Sequence, residues 1–278
     1  MRLSVLLLLF ISLLAVRVQA ESDGDDHLCS STALVKPDQA LRSCSAAIRA
    51  GGHSDADLAR LYDGRGIAHQ MLQEHESAVK DYNEAIRLKA NYSEAYSNRG
   101  TAYHSMGIYD RAIADYTTAI TLDPQAQVSY RSSGIAHFCL GHFDEAQKDL
   151  TQAFQLSPSD PFAAIWLYLS RVRRGEGAAV NLAQMASGLK LSVWPGQVIQ
   201  LFSGKLTLED YLHSLAALDP VKDRTQRGEA LFFLGEYSLV GGERVKARQF
   251  FQLVIEARLT EDFEYTAALS EMQRLRNP

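Results

Sequence analysis

The sequence predicts an all-α protein of about fourteen helices arranged in antiparallel pairs. Two observations predict this class. Small residues recur every 34 positions, and the glycines and prolines that end helices recur at the same interval. With 46% apolar and 22% charged residues, the 278-residue chain also has the composition of an ordinary folded protein. We therefore expect a core built from repeated helix pairs, and no strands.

Four columns of small or apolar residues share the 34-residue interval. They are Gly66, Gly100 and Gly134; Ala78, Ala112 and Ala146; Tyr82, Tyr116 and Leu150; and Ala85, Ala119 and Ala153. A small residue lets two helix backbones approach, Gly107 permits the left-handed turn that ends a first helix, and Pro124 ends a second helix. This interval and pattern resemble the tetratricopeptide (TPR) family, which implies an α-solenoid of antiparallel helix pairs.

The repeat divides the chain into segments. We predict a signal peptide at 1–20, an acidic tail and leading helix pair at 21–54, three complete units within 55–160 (59–92, 93–126 and 127–160), a degenerate helical section at 161–223, and a C-terminal TPR-like unit with a capping helix at 224–278. The last helix, at about 261–275, has polar residues on one side. We expect it to cap the stack, because an end repeat must not leave its apolar face to water.

The first twenty residues have the pattern of a secretory signal peptide. Arg2 is followed by the apolar run 5–16, and Val18-Gln19-Ala20 offers small residues for cleavage. The alternative, a membrane anchor, needs roughly 20 apolar residues, and Arg17 interrupts the run. The sequence therefore predicts a periplasmic protein with no membrane span in its mature form. We expect no lipidation, because a lipoprotein needs a cysteine immediately after its cleavage site and the first cysteine here is Cys29.

The net charge restricts the class of partner, and the cysteines indicate one covalent link. The formal net charge of −5 argues against nucleic acid, since a nucleic-acid binder needs excess cations. In an oxidising compartment Cys29 and Cys44, which flank a short segment, are expected to form a disulfide. The third cysteine, Cys139, is interpreted as a small buried apolar residue rather than a reactive thiol.

Motifs for catalysis are weak. Ser77 and Lys80, like Ser187 and Lys190, match an S-x-x-K pattern, but the other motifs of that enzyme group are missing. His137, Cys139 and His142 suggest a metal site by proximity; the repeat instead predicts that the His137 column packs inside its unit. We therefore predict no enzyme activity, no cofactor and no metal.

In the TPR family, four positions of each first helix usually face a concave groove that binds partners. Carried over to this sequence, they are Arg60, Asp63, Ile67 and Gln70; Glu94, Ser97, Thr101 and His104; and Val128, Arg131, Ile135 and Phe138. The alternative that these residues are merely exposed stays open. Asn98 matches one position of the carboxylate clamp that some TPR proteins use, but Gly64 and Ser132 occupy the equivalent positions, so we expect no clamp.

The order of parts resembles the bacterial NlpI family of envelope adaptors. The resemblance rests on the three units, then Trp166-Leu167-Tyr168-Leu169, Phe202-Ser203-Gly204 and Phe232-Phe233-Leu234-Gly235-Glu236-Tyr237. It implies a homodimeric, non-enzymatic scaffold that binds envelope proteins or peptides and brings cell-wall hydrolases together with a processing protease. The chain departs from that family in lacking the cysteine that carries the lipid. An alternative function is assembly or secretion of outer-membrane protein complexes.

Overall fold

A computed structural model describes Cys29 and residues 33–176, 182–257 and 263–276. Across these ranges the regular structure is entirely helical, with fourteen helices and no strand, which confirms the predicted class. The chain forms two compact units that divide between Ala102 and Tyr103. The signal peptide and most of the acidic tail lie outside the described residues.

The described helices are numbered in chain order. The first four are α1 (Pro37–Ala50), α2 (Asp55–Met71), α3 (His75–Leu88) and α4 (Ser93–Ser105). The next four are α5 (Tyr109–Leu122), α6 (Gln127–Leu140), α7 (Phe143–Leu156) and α8 (Pro161–Arg173). Three short helices follow, α9 (Leu182–Met185), α10 (Gly196–Phe202) and α11 (Leu208–Ala216). The last three are α12 (Arg224–Val240), α13 (Arg244–Glu256) and α14 (Phe263–Arg276).

The repeated glycines are contact points between paired helices. A Cβ atom at Gly66 of α2 would lie 2.6 Å from the Tyr82 ring on α3. A Cβ atom at Gly134 of α6 would lie 2.6 Å from Leu150 Cγ on α7. A Cβ atom at Gly235 of α12 would likewise lie too close to the ring of Phe251 on α13. The same contact thus recurs in both units, including the C-terminal helix pair.

In the first unit, α1 packs on α2, and α2 on α3. The structure joins Cys29 and Cys44 in a disulfide with a Cα–Cα distance of 4.8 Å. The bridge is buried against Leu61, and a Cβ atom at Gly64 would lie 2.9 Å from Cys29 Sγ. The second helix of the predicted leading pair is therefore α1. Of the segment before it, the structure describes Cys29 and residues 33–36.

In the second unit, four helices share an aromatic core. Trp166 of α8 stacks on Phe232 of α12 with ring centroids 5.3 Å apart, and Phe138 of α6 meets Trp166 edge-on at 5.2 Å. Phe251 of α13 lies 5.7 Å from Phe232. The degenerate section and the C-terminal pair therefore belong to one core. None of the described helices combines the length and apolar character needed to cross a membrane.

Candidate functional site

The final helix, α14, lies against the inner face of the second unit. It packs on α12 and α13 and also on α6, a first helix of the repeat. The polar side that we expected to face water is largely buried. The buried residues of α14 are Glu264, Thr266, Ala267, Ala268, Ser270, Glu271, Met272 and Leu275. The helix thus covers part of the surface that the sequence assigned to partner binding.

Thr266 is the centre of the first polar contact. Its Oγ1 lies 2.8 Å from His104 Nε2 and donates to the Phe263 carbonyl oxygen at 2.9 Å. Because the hydroxyl proton is used in that second bond, we assign His104 Nε2 as the donor to Thr266. Burial lowers the pKa of His104 to about 3, so the ring is neutral at physiological pH. The ring also meets Phe263 edge-on at 4.5 Å.

Tyr109, at the start of α5, makes the second polar contact. Its hydroxyl donates to the carbonyl oxygen of Thr266 at 3.1 Å and lies 3.2 Å from Ser270 Oγ. The thiol of Cys139, on α6, is buried next to both Ser270 and Tyr109. Burial raises the pKa of Cys139 to about 12, which keeps the thiol protonated. The sequence-based interpretation of Cys139 as a buried apolar residue agrees with this environment.

Ion pairs form the third contact. Glu271 of α14 pairs with Arg173 of α8 and with Arg274 on its own helix. Arg274 Nη1 also donates to the carbonyl oxygens of Phe138 and Cys139, at 3.3 and 3.0 Å, which lie in the last turn of α6. Carbonyl groups in that turn have no partner within the helix, and a cation there is favourable. Arg274 of α14 therefore provides a hydrogen-bond donor for carbonyl groups at the C-terminal end of α6.

A second carboxylate, Glu236 of α12, is fully buried beside the same cations. Its Oε2 lies 3.5 Å from Arg173 Nε. Burial raises the pKa of Glu236 to about 8, and the nearby charge of Glu271 adds to the rise, whereas Arg173 and Arg274 oppose it. No sequence pattern marks this cluster, because its members come from separate helices with no common repeat position.

The predicted groove residues of the second unit have different environments. His104, Ile135 and Phe138 are only 1%, 2% and 0% exposed. Arg131 is partly buried and forms an ion pair with Asp160. Val128 is open to solvent, with 53% exposure. Of the five predicted residues in this unit, three are thus closed to a partner in this structure.

A cavity of about 160 Å³ remains open at the first turn of α14. It is lined by Arg131, Ile135, Phe162, Trp166, Glu229, Phe263 and Glu264. Arg131 and Ile135 are predicted groove residues, whereas Phe263 and Glu264 belong to α14. The inner face therefore has a covered part under α14 and an open part beside its first turn.

In the first unit, Asp63 is the buried residue of the predicted set. Its carboxylate accepts from Asn98 Nδ2 at 2.9 Å and from the Tyr92 hydroxyl at 3.4 Å. Burial raises the pKa of Asp63 to about 6, against the lowering effect of these two bonds. Asn98, the residue that matched one clamp position, is therefore engaged with a side chain of its own unit.

The other predicted residues of the first unit are more accessible. Arg60 and Glu94 are exposed, and Arg60 forms an ion pair with Asp57. The half-buried members are Ile67, Gln70, Ser97 and Thr101. Gln70 accepts from the Tyr82 hydroxyl at 3.1 Å, and Thr101 donates to the Ser97 carbonyl oxygen at 3.1 Å. The inner face of the first unit therefore has two exposed charged side chains, Arg60 and Glu94.

The histidines that suggested a metal site, His137 and His142, have ring centroids 6.0 Å apart. Within the described ranges, no group of three His, Cys, Asp or Glu side chains is arranged to hold a metal ion. His137 is half-buried, and its pKa is lowered, mainly by burial.

Comparisons with known proteins agree with this architecture. One family model for the tetratricopeptide repeat matches residues 93–125, and a second TPR model matches residues 68–107. A tetratricopeptide repeat protein from Parabacteroides merdae aligns with a TM-score of 0.60 at 14% identity, over 90% of this chain and 98% of that chain. Pseudomonas aeruginosa pilF aligns with a TM-score of 0.55 at 14% identity, over 91% of this chain and 99% of that chain.

A double mutant of MamA (RS-1 ArsTM) aligns with a TM-score of 0.52 at 17% identity, over 60% of this chain and 91% of that chain. At these identities the structural matches show the fold alone. Together with the family models, they show that the chain contains TPR repeats and has a TPR solenoid fold.

Proposed function

We propose that the protein is a non-enzymatic periplasmic adaptor that binds envelope proteins through the inner faces of its first helices. The observation that carries the proposal is the position of α14. The inner face of α6, with the adjoining ends of α4 and α5, holds a helix through side-chain-specific bonds and ion pairs. A surface that binds one helix in this way has the chemistry to bind a segment of another protein.

The periplasmic location rests on two features. The first is the signal-peptide pattern of residues 1–20, and the second is the Cys29–Cys44 disulfide, which is typical of an oxidising compartment. Expression with the complete N-terminus should give a periplasmic protein whose first residue is Glu21. A cytoplasmic product that retains residues 1–20 would contradict the location.

The clients are proposed to be cell-wall hydrolases and a processing protease. This part of the proposal rests on the sequence resemblance to the NlpI family. The same resemblance supports a homodimer, whose mass is measurable by light scattering of the purified mature protein.

Affinity capture from envelope extract, with two matched variants, tests the adaptor function. Val128 and Val245 are the second residues of α6 and α13, and both are exposed, at 53% and 74%. Val128→Asp places a charge on the proposed binding face, whereas Val245→Asp places one on the last repeat-like pair. We expect the wild type and Val245→Asp to retain the same clients, and Val128→Asp to retain about tenfold less of them.

The identity of the retained proteins decides between functions. Wall hydrolases together with a protease support the adaptor. Capture of outer-membrane assembly subunits would instead support the assembly or secretion function. Turnover of a wall fragment by the purified protein alone would overturn the non-enzymatic assignment. Equal capture by both variants would show that the first-helix face of α6 is not the contact.

A further inference from the structure

We infer that the inner face of the second unit is a binding site for a partner helix that carries two hydroxyl residues one turn apart, followed by a glutamate and an arginine. Helix α14 occupies this site until a partner helix of the same chemistry replaces it. The inference rests on the proposed protein-binding function and deepens it by naming the recognised segment.

The polar groups of the site determine what an occupant must supply. If α14 left, the Nε2–H of His104, the hydroxyl of Tyr109 and the guanidinium of Arg173 would lose their bonds to it. A buried polar group without a partner is costly, so an apolar helix would be a poor replacement. The carbonyl group of Cys139, at the end of α6, would likewise lose its bond to Arg274, whereas the carbonyl of Phe138 also accepts from the amide of Gly141 at 2.9 Å.

The four residues of α14 that make these bonds lie on one side of the helix. They are Thr266, Ser270, Glu271 and Arg274, at spacings of four, one and three residues. These spacings place all four within two neighbouring rows of a helix surface. The pattern Thr-x-x-x-Ser-Glu-x-x-Arg thus describes a helix that fits the site. Small residues between them, Ala267 and Ala268, let the backbone lie close to α6 and α12.

The way α14 is held also distinguishes it from the aromatic core. The core of α6, α8, α12 and α13 is built from large rings such as Trp166 and Phe232 that contact one another without α14. Helix α14 adds small or flexible apolar side chains to this core, Ala267, Ala268, Met272 and Leu275. Its remaining contacts are hydrogen bonds and buried ion pairs, which contribute less net stability than apolar packing of the same volume. The 160 Å³ cavity beside Phe263 and Glu264 gives an incoming segment an open place next to the first turn of α14.

Cys139 provides a natural probe for the release of α14. Its thiol is 5% exposed, lies next to Ser270 and has a raised pKa, so it should not react while α14 is in place. The other two cysteines form the disulfide, so Cys139 is the free thiol of the chain. Its alkylation rate under native conditions therefore reports how often the site is uncovered.

The test uses the full mature chain. Thr266→Val with Glu271→Gln removes two polar contacts at nearly constant volume, and we expect the alkylation of Cys139 to be about tenfold faster than in the wild type. Leu269→Ala with Gln273→Ala, at exposed positions of the same helix, is the matched control and should keep the wild-type rate. If the first variant does not fold, as judged by circular dichroism, Thr266→Val alone replaces it.

A synthetic peptide of residues 263–276 is then added to the weakened variant. We expect it to slow Cys139 alkylation back towards the wild-type rate, whereas a peptide with Thr266→Val and Glu271→Gln should need about tenfold higher concentration. If dimer formation depends on α14, the occupant of the site is a second copy of the chain. That result would overturn the proposal of a separate partner protein.

Two results would overturn the inference. One is Cys139 alkylation that occurs only with global unfolding, with the same denaturant dependence as the loss of helical signal. The other is equal protection by both peptides. Capture of clients with no peptide protection would refute this site alone, and peptide protection with no captured client would refute the adaptor function alone.

Discussion

The two units use the same repeat but leave their inner faces in different states. In the first unit Arg60 and Glu94 remain exposed, and the buried groups, such as Asp63, are satisfied by neighbouring repeat residues. In the second unit α14 covers His104 and Phe138 and supplies the bonds for the polar groups around them. The repeat thus builds the inner face in both units, whereas in the second unit α14 covers part of it.

The largest effect is expected from overpacking a helix pair, which tests whether both units rely on the same contact. Gly66→Leu in the first unit and Gly235→Leu in the second place a side chain against Tyr82 and Phe251. Each should destabilise its unit by about 1–3 kcal/mol or more. Gly188→Leu is the control, since no atom lies within 4 Å of a Cβ there. An unchanged melting temperature for Gly235→Leu would contradict the repeated contact.

Removing the disulfide should destabilise the first unit alone. The bridge joins residues 15 positions apart, and a loop of that size stabilises by roughly 3 kcal/mol in the chain-entropy model. Cys29→Ser with Cys44→Ser should therefore lower the unfolding midpoint of the first unit and leave the second unchanged, as measured by hydrogen exchange. In denaturant, the wild type should show one reactive thiol before reduction and three after it. Three thiols before reduction would disprove the bridge.

The buried carboxylates should give the two units different pH dependence. Glu236 has a folded pKa raised to about 8 from 4.5, so the folded state keeps a proton that the unfolded state has lost. Between pH 4.5 and 6.5 the buried His104, which is protonated only in the unfolded state, offsets this effect. Stability of the second unit should thus fall as the pH rises from 6.5 to 8. In the first unit, the pKa of Asp63 is raised from 3.8 to about 6. The corresponding loss of stability should therefore occur between pH 3.8 and 6.

Amide variants of the two carboxylates isolate these contributions. Glu236→Gln should remove the fall in stability of the second unit between pH 6.5 and 8. Asp63→Asn should likewise flatten the stability profile of the first unit between pH 3.8 and 6. Urea unfolding across this pH range measures both. A Glu236→Gln profile as steep as that of the wild type would show that the charges of Arg173 and Arg274 hold Glu236 ionised.

The smallest effect is expected at the open face of the first unit. Arg60 and Asp57 form an exposed ion pair, and such pairs contribute little because water screens them. Arg60→Ala should change the free energy of unfolding by less than about 0.5 kcal/mol. A clearly larger loss would show that this face is covered in the folded protein.

The sequence by itself determined the helix pairs of this protein. A 34-residue interval of small side chains has one structural explanation, close contact between paired helices, and the contacts of Gly66, Gly134 and Gly235 confirm it. It also predicted the pairing of Cys29 with Cys44, since two nearby thiols in an exported chain are expected to join. These features are local, or repeat along the chain, so the sequence alone can reveal them.

Only the tertiary structure decided that α14 lies on the inner face. Thr266 bonds to His104 across 162 positions of the chain, and no periodicity links them. In the sequence, Thr266, Ser270 and Glu271 resemble the solvent-facing side of a final helix, because burial of a polar side chain becomes favourable only when distant partners are in place. Those partners, Tyr109 and Arg173 among them, come together only when the second unit folds.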